Sequence, residues 1–442
     1  MPHNDTISPG RRSFLHMSAT GAVALPMVLA GCAKAAPPAA AAAPAEAADA
    51  AKAGVPEAIA ALESVAHKVV PITDDERKQR LAKAQRLMAE NKIDAIFVGG
   101  GTTLMYFIGM RWGNSERLTG MILPKSGDPI YVTPAFEQAR TLEQVKFGHD
   151  VRAWEEDEDP YQRVAEVMAD LKISTGTLGI EETVPFYRAK GIADALPHMT
   201  IVNAAPVTVG CRAVKSPAEL ALMQLANDTT LKVYEAVWRS LKAGMTQNDV
   251  QSLLSMAYGR TGLNGFASIT VGKYTASPHG SIEPQHIVDG TPIILDDGCK
   301  ADGYTSDITR TVVLGTPSDK MRKVFDIVRK AQTAALAAAR PGVAMEAVDA
   351  AARQVISDAG YGPDYKYFSH RLGHGIGMDM HEWNYLVRGN KRLLEPNMTF
   401  SDEPGIYIPD EFGVRLEDCM YITEDGARWF TPQSASLDQP FG

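Results

Sequence analysis

The chain has 442 residues, more than one hydrophobic core usually organises, so we expect two domains and additional segments. Hydrophobic residues make up 45% of it and charged residues 22%, a composition typical of a folded protein and not of a disordered one. The formal net charge of -9 excludes the basic character that nucleic-acid binding requires, so we expect no nucleic-acid partner.

The first 32 residues are typical of an export signal rather than of a folded element. Arg11 and Arg12 precede an apolar stretch that glycine and proline interrupt, and it is shorter than the roughly 20 apolar residues that span a bilayer. The end of this stretch, Leu-Ala-Gly-Cys32, resembles the bacterial lipoprotein box. We expect a twin-arginine lipoprotein signal at 1–32, lipidation of Cys32, and a periplasmic protein that meets a bacterial membrane only through its lipid. A cleaved signal with an incidental cysteine is the alternative.

The segment at 33–72 is expected to be a linker, because it opens with a low-complexity run rich in alanine and proline. Only three cysteines follow Cys32, and they allow at most one disulfide, which excludes a cysteine-stapled framework. Two of them, Cys299 and Cys419, are expected to be small buried hydrophobes.

Helix-like and strand-like segments alternate over 73–205, which predicts an α/β domain. Helices are expected near 160–171 and 186–196, among short apolar runs such as IDAIFVG and LTGMILP. The histidines of this domain, His149 and His198, are isolated in the sequence. We therefore expect the domain to contribute to the shape of the protein rather than to its chemistry.

The second unit, 213–442, begins with a long amphipathic helix. Ser216 and Glu219, three residues apart, are typical of a capping box at its start. Further helices flank strand-like runs, which predicts an α+β domain with helices packed on an antiparallel sheet.

Acidic residues are concentrated in DDGCKADGYTSDITRT, which lies between two strand-like runs. Asp296 ends the first run and Asp307 precedes the second, so neighbouring strands can direct both carboxylates to one point. Two close carboxylates are unfavourable unless a cation neutralises them. For Asp297 and Asp302 we expect solvent-exposed turn or edge positions.

Two later clusters supply further candidate ligands. The glycine-rich HRLGHGIGMDMHEW holds three histidines, and half of the ten histidines in the chain lie between 279 and 381, which favours a site. In SDEPGIYIPDEFGVRLEDC, Glu403 precedes a turn, and strand alternation places Arg415, Glu417 and Cys419 on one face. A glutamate and an arginine on an inward face require partners.

Together these clusters offer four carboxylates and imidazole, a set rich in oxygen and poor in sulfur. Such a set favours Mn²⁺ or a similar ion over a structural zinc. Four carboxylates carry too much charge for one divalent ion. We therefore expect two ions about 3.5 Å apart, with a hydroxide between them as the nucleophile.

Residues 213–442 resemble the pita-bread-fold metallopeptidases, which include Xaa-Pro aminopeptidase, prolidase and methionine aminopeptidase. The preceding α/β domain resembles the smaller amino-terminal domain of the creatinase/prolidase branch. The resemblance lies in LDDG, GYTSDITRT, GHGIG, DEPGIYIP and GVRLED, which follow one another in the family order. It implies that Asp307 and Glu417 bridge two metal ions, and that the full set of ligands is Asp296, Asp307, His374, Glu403 and Glu417.

The same resemblance implies groups that handle the substrate. His279 and His381 would hydrogen-bond the scissile peptide and its tetrahedral intermediate, and Glu403 would take the proton of the attacking water. Arg415 would orient its neighbours, and His370 would line the substrate cleft. The implied reaction cuts the bond between an amino-terminal residue and a following proline, in a homodimer or larger assembly, with Mn²⁺ favoured and Zn²⁺ or Co²⁺ possible. Tyr407 and Trp383 are candidates for an apolar wall beside the proline ring.

Three stretches depart from the family pattern: DDG replaces DAG, TVGKYTASPHG precedes the first site histidine, and HEWNYL replaces HE-x-P. None of them removes a ligand, but all border the expected substrate pocket. Two alternatives stay open, a metal-free creatinase-like hydrolase and a non-catalytic lipid-anchored peptide-binding protein. The complete ligand set and the paired histidines favour the metallopeptidase.

The export signal is directly testable. Replacing Arg11 and Arg12 by Lys is expected to leave precursor in the cytoplasm, because the export route reads the arginine pair. Cys32→Ala is expected to release the exported protein from membranes, because it removes the lipid attachment point. Cell fractionation measures both effects, and unchanged fractionation of both variants would contradict the assignment.

Overall fold

The structure is a computed structural model that describes residues 54–441. The expected signal, with Arg11, Arg12 and Cys32, and the first part of the expected linker lie outside the described residues. Within residues 54–441, no helix has both the length and the apolar character needed to cross a membrane.

Part of the range expected as a linker is folded. A short helix, α1 (Glu57–Ala60), buries Ile59 completely in the main hydrophobic cluster. The following backbone is tied to the later chain, since Val65 N donates to the Thr261 carbonyl at 2.8 Å. The linker prediction over 33–72 is therefore wrong for its last part, because its apolar residues, which are too irregularly spaced to indicate a helix, are buried against the carboxyl-terminal half.

A six-stranded sheet organises the amino-terminal half, in the order β4-β3-β2-β1-β5-β6. Strand β2 is antiparallel to both of its neighbours, and the remaining pairs are parallel. The strands are β1 (Ala95–Gly99), β2 (Gly120–Pro124), β3 (Ile130–Pro134), β4 (Asp150–Trp154), β5 (Gly176–Ile180) and β6 (Met199–Asn203).

Helices cover this sheet on both faces, as the alternation along β1 shows. Ile96 and Val98 belong to one hydrophobic cluster, whereas Ala95 and Phe97 belong to another. The helices are α2 (Asp74–Glu90), α3 (Thr102–Ile108), α4 (Gln138–Gln144), α5 (Pro160–Asp170), α6 (Phe186–Ala195) and α7 (Ala205–Arg212). The predicted α/β domain is confirmed.

The carboxyl-terminal half consists of four long helices and small antiparallel sheets. Ser216 and Glu219 form the predicted capping box: Glu219 N donates to Ser216 Oγ at 3.2 Å, and Ser216 N donates to Glu219 Oε2 at 2.7 Å. The helices are α8 (Pro217–Trp238), α9 (Gln247–Thr261), α10 (Asp319–Ala338) and α11 (Met345–Ile356).

The strands of this half form a three-stranded sheet, β12-β9-β8, and a five-stranded sheet, β14-β13-β15-β18-β19, with the smaller sheets β11-β10-β7 and β16-β17 beside them. Their bounds are β7 (Asn264–Gly265), β8 (Ser268–Val271), β9 (Pro292–Asp297), β10 (Cys299–Ala301), β11 (Tyr304–Thr305), β12 (Ile308–Val313), β13 (Gly373–Gly375), β14 (Glu382–Leu386), β15 (Thr399–Asp402), β16 (Gly405–Ile408), β17 (Phe412–Arg415), β18 (Asp418–Ile422) and β19 (Ala427–Trp429). All their pairings are antiparallel, which confirms the predicted α+β class.

A two-residue contact joins the larger sheets. Thr309 on β12 and Glu417, just before β18, exchange backbone hydrogen bonds of 3.3 and 3.1 Å. The polar ends of β9, β12, β15 and β17 therefore converge on one region.

The folded part of the expected linker can be tested by its stability contribution. Ile59→Ala removes a fully buried side chain and is expected to lower the free energy of unfolding by about 2–5 kcal/mol. Val70→Ala, at a position that is 72% exposed in the same segment, is expected to change it by less than about 0.5 kcal/mol. Urea unfolding of both variants measures the difference, and equal small effects would show that the segment does not contribute to the folded body.

Candidate active site

A cavity of about 460 Å³ lies where these strand ends converge. It brings together every residue that the sequence marked as a ligand or a substrate-handling group. These residues are His279, Asp296, Asp307, His370, His374, His381, Glu403, Arg415 and Glu417.

The pairing of β9 with β12 positions the two aspartates. Asp296 lies opposite Thr309 in the ladder, and Asp307 immediately precedes β12. The Thr309 hydroxyl contacts the Asp296 carboxylate and lies 2.6 Å from Glu417 Oε2. One buried hydroxyl therefore fixes the orientation of carboxylates that come from both sheets.

Strand β13, which carries His374, packs closely against both of its neighbouring strands. A Cβ atom on Gly373 would lie 2.0 Å from the Ser401 carbonyl oxygen, and one on Gly375 would lie 2.1 Å from that of Trp383. His374 N donates to Ser401 Oγ at 3.0 Å, and the Ser401 hydroxyl donates to Glu403 Oε1 at 3.1 Å. The glycines permit the close approach, and Ser401 links the backbone amide of His374 to the Glu403 carboxylate.

The predicted inward face near the end of the chain is confirmed. Arg415 and Glu417 both line the cavity. Strand β17 ends at Arg415 and β18 begins at Asp418, so the two residues do not belong to one continuous strand. Cys419 is buried, and its Sγ accepts a hydrogen bond from Asp307 N at 3.2 Å. Cys211, Cys299 and Cys419 are all free and buried, as small hydrophobes are.

Three groups of side chains in the cavity offer ligand atoms within 4.8 Å of one another. The groups are Asp296, Asp307 and Glu417; His374, Glu403 and Glu417; and Asp307, His374 and His381. Asp307, His374 and Glu417 each belong to two groups. Of these three, the two carboxylates each have a pair of oxygens, so Asp307 and Glu417 can serve neighbouring positions for a cation. The donor set is dominated by oxygen, which fits hard divalent ions.

The electrostatics of the cavity also favour cations. Burial raises the pKa of Asp307 well above its usual range, and the nearby Asp296 adds to the effect. Burial and Asp307 do the same for Glu417, and burial raises the pKa of Glu403 to about 8. In the part of the chain that the structure describes, Arg415 is the only arginine or lysine that forms an ion pair with these carboxylates. The site therefore gathers more negative charge than its own side chains neutralise.

Arg415 connects the carboxylates to the substrate side of the cavity. Its guanidinium donates to the Asp296 carboxylate. Burial raises the pKa of Asp296, but the charge of Arg415 and the hydrogen bonds to the carboxylate outweigh burial, and the pKa lies below its usual value. The same guanidinium donates to the Tyr407 hydroxyl at 3.0 Å, and that hydroxyl lies 2.7 Å from His370 Nε2. Tyr407 is thus a polar link between Arg415 and His370 rather than the apolar wall expected for it.

The histidines of the cavity divide into buried and exposed members. Burial lowers the pKa of both His370 and His374 to about 3, so both rings are neutral. Both ring nitrogens of His370 have hydrogen-bond partners, whereas His374 Nδ1 bonds to the Gly375 carbonyl and leaves Nε2 as a possible ligand atom. His279 and His381 are exposed. The His381 ring lies with its centroid 4.0 Å from that of His374.

The expectation that Asp297 and Asp302 are exposed is wrong. The Asp297 carboxylate lines the cavity and accepts hydrogen bonds from the Ser268 amide and hydroxyl at 3.0 and 2.6 Å. Burial, and then Asp296, raise the pKa of Asp297 to about 6. Asp302 accepts from Arg111 at 2.9 Å, because its turn packs against the amino-terminal half.

Comparison with known proteins identifies the family. Residues 221–424 match the metallopeptidase family M24, and residues 80–214 match the creatinase/prolidase amino-terminal domain. The chain belongs to the M24 metallopeptidases. Its two-part architecture, a pita-bread domain preceded by a creatinase/prolidase-type domain, is thereby confirmed.

Similar M24 proteins carry peptidase names. An Xaa-Pro dipeptidase of Lactobacillus delbrueckii subsp. lactis is 33% identical over 377 residues, which cover 81% of this chain and 98% of the relative. The crystal structure of dipeptidase PepE from Mycobacterium ulcerans is 34% identical, with a TM-score of 0.75 and coverage of 82% and 97%. An X-Pro aminopeptidase from Thermotoga maritima is 28% identical, with a TM-score of 0.70 and coverage of 80% and 97%. This M24 chain is therefore a hydrolase of the peptidase class.

Proposed function

We propose that this M24 protein hydrolyses the peptide bond between an amino-terminal residue and a following proline, with two divalent metal ions as cofactors. The observation that carries the proposal is the convergence of four carboxylates and His374 on one cavity that two exposed histidines also line. The relatives named for Xaa-Pro or X-Pro cleavage support the choice of bond.

The proposed ligands are Asp296, Asp307, His374, Glu403 and Glu417. Asp307 and Glu417 would be shared by both ions, because each takes part in two of the three ligand groups and has two carboxylate oxygens, whereas His374 has one free ring nitrogen to offer. Hard oxygen donors favour Mn²⁺, with Zn²⁺ or Co²⁺ as alternatives. When bound, the ions supply Lewis-acid polarisation of the scissile carbonyl and a water activated near neutral pH.

The side chains of the protein handle protons and orientation. Glu403 accepts the proton of the attacking water, and its carboxylate is held by Ser401 on one oxygen, while the other lies 3.8 Å from His370 Nδ1. His279 and His381 are exposed to the cavity and donate hydrogen bonds to the oxygen that gains charge during attack. Arg415 keeps Asp296 and Tyr407 in place.

Acceptance of a proline substrate is consistent with the groups that line the cavity. An Xaa-Pro bond is a tertiary amide without an N–H, so a site that grips a backbone N–H at that position cannot hold it. Cations and histidines act on the carbonyl instead. Trp383 is not among the residues that line the cavity, whereas Met380 and Tyr385 are, and they supply apolar surface for the ring.

Assembly into a homodimer or larger oligomer and export through residues 1–32 remain predictions. The choice between dipeptides and longer peptides depends on how the open side of the cavity is closed. This chain is similar to a relative named as a dipeptidase and to another named as an aminopeptidase, so the similarity does not decide between the two substrate lengths.

The metal assignment predicts different losses for two residues of the cavity. Asp307→Ala is expected to abolish metal binding and hydrolysis, because a shared carboxylate serves both ions. His381→Ala is expected to keep the metal and lose rate, because the exposed imidazole acts on the substrate. Elemental analysis and kinetics measure this. Asp438→Ala, which removes an exposed aspartate bound to Arg322 outside the cavity, is the control and should keep both metal and activity. A fully active Asp307→Ala protein would refute the site.

The bond specificity is tested with the Mn²⁺-loaded protein and three peptides, Ala-Pro, Ala-Pro-Ala and Ala-Ala-Ala. We expect cleavage before proline in one or both of the first two and little cleavage of the third, because the cavity selects a tertiary amide. Chromatographic detection of the released alanine measures the rates. Equal or faster cleavage of Ala-Ala-Ala would overturn proline selectivity while leaving a metal-dependent peptidase.

A further inference from the structure

A buried arginine of the amino-terminal half contacts the segment that carries His381. Arg212, the last residue of α7, is only 2% exposed. Its Nη2 lies 2.7 Å from Asp379 Oδ2 and 2.6 Å from Glu382 Oε1. Lys215 Nζ lies 2.7 Å from the other Glu382 oxygen. The two carboxylates that receive these cations stand on either side of His381 in the sequence.

Glu382 also holds its own loop together. Its Oε1 accepts a hydrogen bond from Met378 N at 3.1 Å, which closes the chain from 378 to 382 into a compact turn. A Cβ atom on Gly377 would lie 2.7 Å from Glu382 Oε1 and 2.8 Å from Lys215 Cε, so the turn is packed directly onto the ion pair. The Glu382 carboxylate is therefore the centre of the segment that presents His381.

The start of α3 binds the same segment from the amino-terminal half. The Thr102 hydroxyl donates to Asp379 Oδ1 at 2.7 Å, and Arg212 Nη1 donates to Thr103 Oγ1 at 3.1 Å. The Arg212 guanidinium also lies 4.9 Å from the centre of the Trp383 ring. These contacts fix the residues on both sides of His381.

The His381 side chain has little else to hold it. Within residues 54–441 its imidazole forms no hydrogen bond to another protein group, and its ring is near that of His374. The place of the imidazole therefore depends on the backbone that carries it. Burial alone would raise the pKa of Glu382, but Lys215 and Arg212 outweigh burial and lower it to about 2, so the carboxylate stays ionised and paired.

We propose that Glu382, held by Arg212 and Lys215, is a positioning residue that sets the place of His381 in the cavity. The amino-terminal half thus acts on catalysis through Arg212. The inference rests on the role proposed above for His381, and it adds the groups that make that role possible. A misplacement of about 1 Å in a group that acts on the transition state can reduce the rate by about 100-fold, so a loosened turn is expected to affect kcat.

The first test compares kinetics in two backgrounds. Glu382→Gln keeps the shape of the side chain and removes its charge, and it is expected to lower kcat by about 10- to 100-fold with KM changed far less and metal content unchanged. In a His381→Ala background the same change should cost less than about twofold, because its effect passes through His381. Arg212→Met should resemble Glu382→Gln, and Arg212→Lys should recover part of the loss.

A matched control separates positioning from general stability. Arg80 is also a buried arginine that joins the two halves, since it donates to the Tyr106 carbonyl and the Tyr304 hydroxyl at 2.9 and 3.1 Å. It does not contact the segment around His381. Arg80→Met is expected to lower the melting temperature as Arg212→Met does, yet leave kcat within about twofold. An equal loss of kcat in Arg80→Met, or an equal penalty for Glu382→Gln with and without His381, would overturn the proposal.

A readout that needs no substrate completes the test. Diethyl pyrocarbonate modifies accessible imidazoles, and mass spectrometry follows the modification of His381 in the full-length protein, with His279 as the internal reference. In Glu382→Gln the His381 rate is expected to rise roughly threefold relative to His279, because the loosened turn opens more often. If this rise is observed but the wild-type protein cleaves no proline peptide, the proposed function is refuted and the positioning role of Glu382 is retained. An unchanged rate together with an unchanged kcat would overturn the positioning role alone.

Discussion

The crowding of like charges in one cavity is the constraint on which the rest of the catalytic half depends. Asp296, Asp307, Glu403 and Glu417 approach one another, and within residues 54–441 the only arginine or lysine that forms an ion pair with any of them is Arg415, which pairs with Asp296. Burial, and then the neighbouring carboxylates, raise the pKa of Asp307 and Glu417 well above the usual range, so their ionised forms need a cation. The antiparallel pairing of β9 with β12, the Thr309 hydroxyl and the Ser401 hydroxyl hold these groups close enough to share cations.

The amino-terminal half has a larger part in this arrangement than its lack of ligands suggests. It supplies Arg212, Thr102 and Thr103, which bind the turn that presents His381. It also receives Asp302 from the loop between the two aspartate-bearing strands, through Arg111. Two segments next to the cavity are therefore anchored outside the half that contains the cavity. Among residues 54–441, the amino-terminal domain contributes no member of the three ligand groups, as its isolated histidines indicate, yet it contacts segments beside the cavity.

The sequence is sufficient to predict the class of both halves, because alternation acts over short distances. The five proposed ligands and the histidines of the cavity follow from the resemblance to the family, whereas Asp297, Met380 and Tyr385 also line the cavity without having been predicted. Arg415 and Glu417 share a face as a strand pattern requires, and Ser216 caps α8 as its spacing indicates. Contacts between distant residues were not predictable in this way. Asp302 looks like a turn residue until its turn meets Arg111, 191 positions earlier. Buried hydroxyls such as Thr309 and Ser401 carry no periodic signal that separates them from other threonines and serines. Arg212 lies between the two predicted domains, so neither the alternation in the first domain nor the motifs of the second predicts its contacts.

The narrow passage of β13 between its neighbours has a consequence for judging related sequences. Gly373 and Gly375 each face a backbone oxygen at a distance that excludes any side chain. A homologue that keeps all five acidic and imidazole groups but carries alanine at either glycine would have to move β13 away from one of its two neighbouring strands to fold. Such a homologue would contain every proposed metal ligand, but its cavity would have a different shape. Whether such a sequence is an active member or a decayed copy is therefore decided by two residues that have no chemistry of their own.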